Sequence, residues 1–157
     1  MTQHIPTERF VSALNSLLEE TFESVQGIYL DTNTSLFETL ATISAEQASR
    51  PVSARCASIG AQVAHTRYYL DVLSGYLRGE EPFGVDWTKS WQIEAVTPEE
   101  WAQLNRELRD SFAQVRKLLA SITDWSAGEQ LTDALAIVVH TAYHLGEIRQ
   151  ALCTVQG

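Results

Sequence analysis

Four long segments of the chain carry apolar residues every three or four positions, the spacing that places them on one face of an α-helix. These segments cover roughly residues 7–25, 54–77, 98–121 and 130–153. Runs that alternate apolar and polar residues, which are typical of strands, are almost absent. The pattern therefore predicts an all-α fold, a four-helix bundle whose apolar faces pack against one another.

The connections between these segments carry turn and capping signals. The first connection, residues 31–50, is longer than the others and contains a capping box at residues 44–47, so we expect short helices within it. A second capping box, residues 97–100, marks the start of the third long helix. A short linker at residues 124–129 precedes the fourth. With no repeat and no domain linker, residues 1–157 are predicted to form a single domain.

The charge of the chain argues against two classes of partner. The net charge is −9, and only 11 Lys and Arg residues are spread along the sequence. Nucleic acids and anionic membranes both require clustered basic residues, so neither is an expected partner. No apolar run approaches the ~20 residues that span a bilayer, and the N-terminus lacks the features of a signal peptide. We therefore expect a cytoplasmic protein.

The two cysteines, Cys56 and Cys153, are far apart and form no Cys-x-x-Cys pair. This spacing predicts neither a disulfide framework nor a thiolate metal site. We expect both to be small buried side chains in a reducing compartment. A bridge between Cys56 and Cys153 remains open as an alternative, because helices from opposite ends of a chain can be neighbours.

Three histidines form the main candidate site. His140 and His144 lie four positions apart in the fourth helix, so their directions differ by only about 40° and both project from one face. Zinc proteases use the same spacing, but Thr141 occupies the position where their motif requires glutamate, which excludes that class. His65 falls within the apolar arc of the second helix, where an unpaired imidazole costs ~1–3 kcal/mol.

Three neutral imidazole nitrogens from two helices can hold one divalent ion and leave positions for water or substrate. The alternative is that these histidines simply pack in the core or at its boundary. From spacing alone the two interpretations have similar weight.

Residues 140–152, HTAYHLGEIRQAL, resemble the last helix of the DinB-like superfamily, which includes the YfiT-like proteins. His65, within AQVAHTRYY at residues 61–69, matches the single upstream histidine of that family. The resemblance covers essentially the whole chain. It implies a four-helix bundle with a three-histidine site, His65, His140 and His144, for nickel, zinc or a similar ion. It also implies homodimers and, by analogy with characterised relatives, thiol transfer or isomerisation with low-molecular-weight thiols, or hydrolysis.

Other residues near these histidines are candidates for supporting roles. Glu147 lies only about 20° from His140 around the helix and is the candidate catalytic residue, for proton transfer or for a hydrogen bond to a metal ligand. The alternative is that Glu147 is an ordinary helix residue exposed to solvent, with no role in the site. Tyr69 and Tyr143 are candidates for lining the cleft, although such aromatic residues more often pack.

Residues 83–95 form a predicted loop that is rich in aromatic residues. We expect Trp87 and Trp91 in this loop to cover the end of the bundle, with a pocket wall as the alternative.

The sequence thus predicts a metal-dependent enzyme that activates a thiol or water toward a small-molecule substrate, a transferase or a hydrolase. The expected cofactors are one divalent ion, nickel or zinc, and a possible low-molecular-weight thiol. The competing hypothesis is a stress-related bundle that binds metal or ligand without turnover.

Overall fold

The computed structural model describes residues 4–80, 84–126 and 129–156. In these ranges the helices are α1 (Thr7–Phe22), α2 (Leu36–Leu40), α3 (Ala45–Ser49), α4 (Ile59–Leu77), α5 (Pro98–Ser121) and α6 (Gln130–Val155), with a 3₁₀ turn at Lys89–Trp91. The long helices α1, α4, α5 and α6 form a bundle in which α4 packs against α5 and α6, and α1 packs against α6. The predicted all-α bundle is confirmed, and its longer first connection contains the short helices α2 and α3.

Helix α4 begins at Ile59, later than the predicted start near residue 54. The preceding residues form a turn closed by an isolated antiparallel bridge between Pro51 and Ser58. The Ser58 hydroxyl then accepts a hydrogen bond from the Ala61 N–H and caps the helix. This turn places residues 52–57 beside the site rather than inside the helix.

Helix α1 ends at Phe22, before the predicted boundary at residue 25, because Glu20 organises the turn that follows. The Glu20 side chain is fully buried. Its carboxylate accepts hydrogen bonds of 2.6 to 3.0 Å from four backbone N–H groups, those of Gln26, Ile28, Tyr29 and Leu30. Burial raises the pKa of this carboxyl, but the four donors together outweigh burial and lower the pKa to about 2.

The first connection closes one end of the core against α5. Phe22 and Phe112 stack with ring centroids 4.0 Å apart, and Phe37 from α2 meets Phe112 edge-on at 5.9 Å. The Trp101 indole N–H donates to the Ile43 carbonyl oxygen at 2.8 Å. These contacts fix α5, and with it the position of α4 in the bundle.

We name residues 84–97 the α4–α5 loop. It carries the 3₁₀ turn and packs on α4. Phe83, at the start of the predicted aromatic loop, lies outside the described residues, as do residues 127 and 128 of the predicted linker before α6. The docked loop forms one side of the candidate site.

Cys56 and Cys153 are both exposed and carry free thiols. The expectation that they are buried is wrong, because Cys56 lies in the turn before α4 and Cys153 lies on the outward side of the last turns of α6. The alternative bridge between them is not formed. No helix among the described residues has the length and apolar character needed to cross a bilayer.

Candidate metal centre

The structure brings His65 from α4 together with His140 and His144 from α6. The Nε2 atom of His140 lies 3.2 Å from the Nε2 of His65 and 3.2 Å from the Nε2 of His144. The three potential ligand atoms all lie within 4.8 Å of one another, so the group could hold a metal ion. The helical spacing of the α6 pair and the packing of α4 on α6 together produce this arrangement.

The spacing of these nitrogens fits a metal site. Two nitrogens at about 2.0–2.1 Å from a tetrahedral zinc are about 3.3 Å apart, close to the two observed separations. Three nitrogens on one side of an ion leave the opposite side open, as in catalytic rather than structural sites.

A hydrogen-bonded chain fixes which nitrogen of His65 carries the proton. The Ser90 hydroxyl donates to the Trp87 carbonyl oxygen at 2.7 Å. The only hydrogen of that hydroxyl is therefore committed, and Ser90 Oγ must accept from the Nδ1–H of His65, 2.7 Å away. The Nε2 of a neutral His65 then presents a lone pair toward the other two histidines.

His144 is fixed in the same way from the opposite side. Its Nδ1 lies 2.6 Å from Gln62 Oε1 and 3.0 Å from Glu147 Oε2. An ionised carboxylate can only accept, so the His144 Nδ1 carries the proton and its Nε2 also presents a lone pair. The sequence-predicted Glu147 thus lies at the outer edge of a candidate ligand, in contact with the ring nitrogen that faces away from the cluster.

His140 lies between the other two imidazoles. Its Nδ1 is buried and, within the described part of the chain, has no hydrogen-bond partner. Its ring lies parallel to Tyr69, with centroids 3.5 Å apart and an angle of 5°. Because Nδ1 has no fixed partner, the stacked His140 ring is free to direct its Nε2 into the cluster, where this atom faces the lone pairs of His65 and His144.

Burial keeps these imidazoles neutral. It lowers the pKa of His65 to about 4 and that of His140 to about 3, with a further lowering by the neighbouring histidines. Burial also lowers the pKa of His144, although the Glu147 carboxylate acts in the opposite direction. A single Nε2–H on His140 can satisfy only one of the two facing lone pairs. A bound cation satisfies all three nitrogens, so the residues present fit a divalent ion.

Aromatic side chains surround the cluster. Trp91 stacks on His65 at 3.9 Å and 19°, and Trp87 lies edge-on to the same ring at 6.2 Å. Tyr143 meets His144 edge-on at 5.0 Å. The two tryptophans therefore form a wall of the site, the alternative that the sequence left open, rather than only covering the end of the bundle.

Sequence reasoning missed two residues of this site. Gln62 lies three positions before His65 on the same side of α4, so helical spacing was a signal that could have identified it. Ser90 had no such signal, because it reaches His65 from the α4–α5 loop, 25 positions away in sequence.

Comparison with known proteins identifies the family of the chain. Neither the curated proteins nor the solved structures provide a match to the chain. A family model described as DinB superfamily matches residues 29–148, more than half of the chain and a range that includes all three clustered histidines. The chain therefore belongs to the DinB superfamily.

Proposed function

We propose that the chain binds one divalent ion, nickel or zinc, through the Nε2 atoms of His65, His140 and His144. The observation that carries this proposal is the hydrogen-bonding of the outer ring nitrogens. Because Ser90 and Glu147 both accept from Nδ1–H groups, two lone pairs point at the same small volume. Core histidines that only pack would not need this arrangement.

We further propose that the bound ion supplies a site that lowers the pKa of a thiol or water and so provides a nucleophile near neutral pH. The expected reaction is transfer to, or hydrolysis of, a small-molecule substrate, with a low-molecular-weight thiol as a possible cofactor. Trp91 and Tyr69 stack on two of the ligands, restrict their rotation and keep water from their faces. Because these two histidine rings cannot rotate freely, the coordination positions left open on the ion keep one geometry.

Glu147 has a positioning role in this proposal. Its carboxylate contacts the Nδ1 of His144, on the side of the ring away from the Nε2 cluster. A group in that place orients the ligand and increases its basicity. Proton transfer at the open side would need a group near Nε2 instead, so the contacts of Glu147 favour the first of the two roles considered from the sequence.

Elemental analysis of the untagged protein tests the metal proposal. We expect about one nickel, zinc or similar ion per chain, lost in His65→Ala and His140→Ala with the helical circular dichroism retained. His4→Ala is the matched control, because His4 is exposed and far from the cluster in sequence. Absence of metal after reconstitution, or unfolding of the variants with no change in bound metal, would return these histidines to a packing role.

The competing proposal is a bundle that binds metal or ligand without turnover. Titrating thiols into the cobalt-substituted protein distinguishes the two, because a thiolate on the ion gives a charge-transfer band. A band together with turnover of a thiol-transfer or hydrolysis substrate supports the enzyme. A band without any turnover supports the binding protein. The homodimer and the cytoplasmic location stay predictions, the first of which sedimentation velocity tests.

A further inference from the structure

A cavity lies behind His144, on the side away from the Nε2 cluster. Its volume is about 420 Å³, which is within the range of small-molecule sites. Val52 and Cys56 from the turn before α4 form one wall, and Tyr143, Gly146 and Glu147 from α6 form the other. The late start of α4 creates this cavity, because the capped turn stands beside α6 instead of continuing the helix.

Gly146 has no packing reason to be glycine. Within the described part of the chain, a Cβ placed on it would meet nothing within 4 Å, so no described element needs the missing side chain. Glycine in a helix interior destabilises the helix relative to alanine. Because Gly146 lines the cavity, the missing side chain leaves open space there.

The cavity also contains a surplus of hydrogen-bond acceptors. The single Nδ1–H of His144 faces two acceptors, Gln62 Oε1 and Glu147 Oε2, and one of them is sufficient. Among the described side chains that line the cavity, Glu147 carries the only formal charge, and it is 37% exposed. The Tyr143 side chain lines the same cavity.

We propose that this cavity is a binding site for a small primary amine with an apolar stem, separate from the metal centre. The ammonium group binds the Glu147 carboxylate and the face of Tyr143, and the stem lies against Val52 over Gly146. While the amine occupies Glu147, the Gln62 oxygen holds the His144 Nδ1–H. Amine binding therefore requires neither a bound metal nor a change in the orientation of the His65, His140 and His144 rings.

Cys56 allows the proposal to be tested directly by disulfide tethering. The chelator-treated protein is reacted with cystamine, which carries ammonium groups, or with neutral bis(2-hydroxyethyl) disulfide. In each case the Cys56 thiolate attacks a disulfide sulfur, a new S–S bond forms and one thiolate leaves. Cys153 is an internal control, because it is also exposed and experiences the same net charge of −9. At each cysteine, the preference is the labelling rate with cystamine divided by the rate with bis(2-hydroxyethyl) disulfide. The measured quantity is this preference at Cys56 divided by the preference at Cys153.

We expect this normalised preference to be about two- to fivefold, the effect of one partly exposed ion pair, and to fall to about one in Glu147→Gln. Gly146→Leu should slow labelling of Cys56 by both reagents and leave Cys153 unchanged. Gly146→Ala should raise the urea midpoint of unfolding. This result would show that glycine at this position does not stabilise the fold. A normalised preference near one in the unmodified protein, or labelling unaffected by Gly146→Leu, would overturn the proposal.

A non-covalent measurement completes the test. 2-Phenylethylamine should protect Cys56 from labelling and leave Cys153 reactive, whereas 2-phenylethanol should protect neither. Equal protection by the amine and the alcohol would mean an apolar cavity without amine recognition, and would also overturn the proposal. Because every step uses metal-free protein, failure here leaves the metal proposal untouched, and failure of metal binding leaves this result interpretable.

Discussion

Ser90 Oγ lies 2.7 Å from the Nδ1 of His65, and its own hydrogen is donated to the Trp87 carbonyl oxygen. Removing the Ser90 hydroxyl leaves the buried His65 Nδ1–H without an acceptor and frees the ring to adopt the other tautomer. We expect Ser90→Ala to weaken metal binding about 10–100-fold, the usual effect of losing such a partner. Isothermal titration with zinc measures it. Thr88→Ala, an exposed change in the same loop, is the control, and equal affinities for the two variants would contradict this role for Ser90.

Gln62 and Glu147 share the Nδ1–H of His144, so either should support that ligand alone. We expect Gln62→Ala and Glu147→Ala each to reduce metal affinity by less than about tenfold. The double variant should lose more than the sum of the two single losses, since the buried N–H then has no acceptor. A double-mutant cycle of zinc affinities measures this coupling. Strict additivity would show that the two acceptors act independently.

Metal binding should be unusually resistant to mild acid. A proton competes with the ion only as pH approaches the pKa of a ligand, and burial lowers that pKa to about 4 in His65 and about 3 in His140, from an ordinary 6.5. Burial also lowers the pKa of the third ligand, His144, so we expect zinc affinity to begin to fall only below pH 6.5, the ordinary imidazole value. A decline that begins at pH 6.5 would show that the imidazoles are not shielded from protonation in this way.

Glu20 should make the fold sensitive to acid. Its pKa is about 2 in the folded chain and has an ordinary value of 4.5. Since the folded value is the lower one, the stabilisation is complete above pH 4.5 and is lost as pH falls toward 2. We expect Glu20→Gln to lower the urea midpoint at pH 7, with a smaller difference from the unmodified protein at pH 3. Glu94→Gln, on an exposed loop carboxylate, should show no such pH-dependent difference.

The sequence predicted the parts of the site that depend on helical period. His140 and His144 follow from a four-residue spacing, and His65 follows from its place in the apolar arc of α4. Both arguments are local, because side-chain direction along a helix is fixed by 3.6 residues per turn. The predicted proximity of the three residues also needed the resemblance to a family, since helix packing order does not follow from period alone.

The rest of the site depends on non-helical backbone. Ser90 reaches His65 only because the α4–α5 loop docks on α4, and the exposure of Cys56 follows from the turn before that helix. No periodicity governs such segments, so neither the bond nor the cavity behind His144 could be predicted. Glu20 was hidden for a related reason, because its four partners are backbone groups that carry no sequence signal.

The bond between Ser90 and His65 makes loop docking and ion binding reciprocal. A docked α4–α5 loop selects the Nδ1–H tautomer, the only neutral form of His65 that can offer Nε2 to an ion. By thermodynamic linkage, the factor by which docking tightens ion binding equals the factor by which the ion favours docking. A peptide bond in that loop should thus be cut more slowly by protease in the loaded protein, since cleavage requires local opening. A bound ion would thereby stabilise the docked form of the same loop that orients one of its ligands.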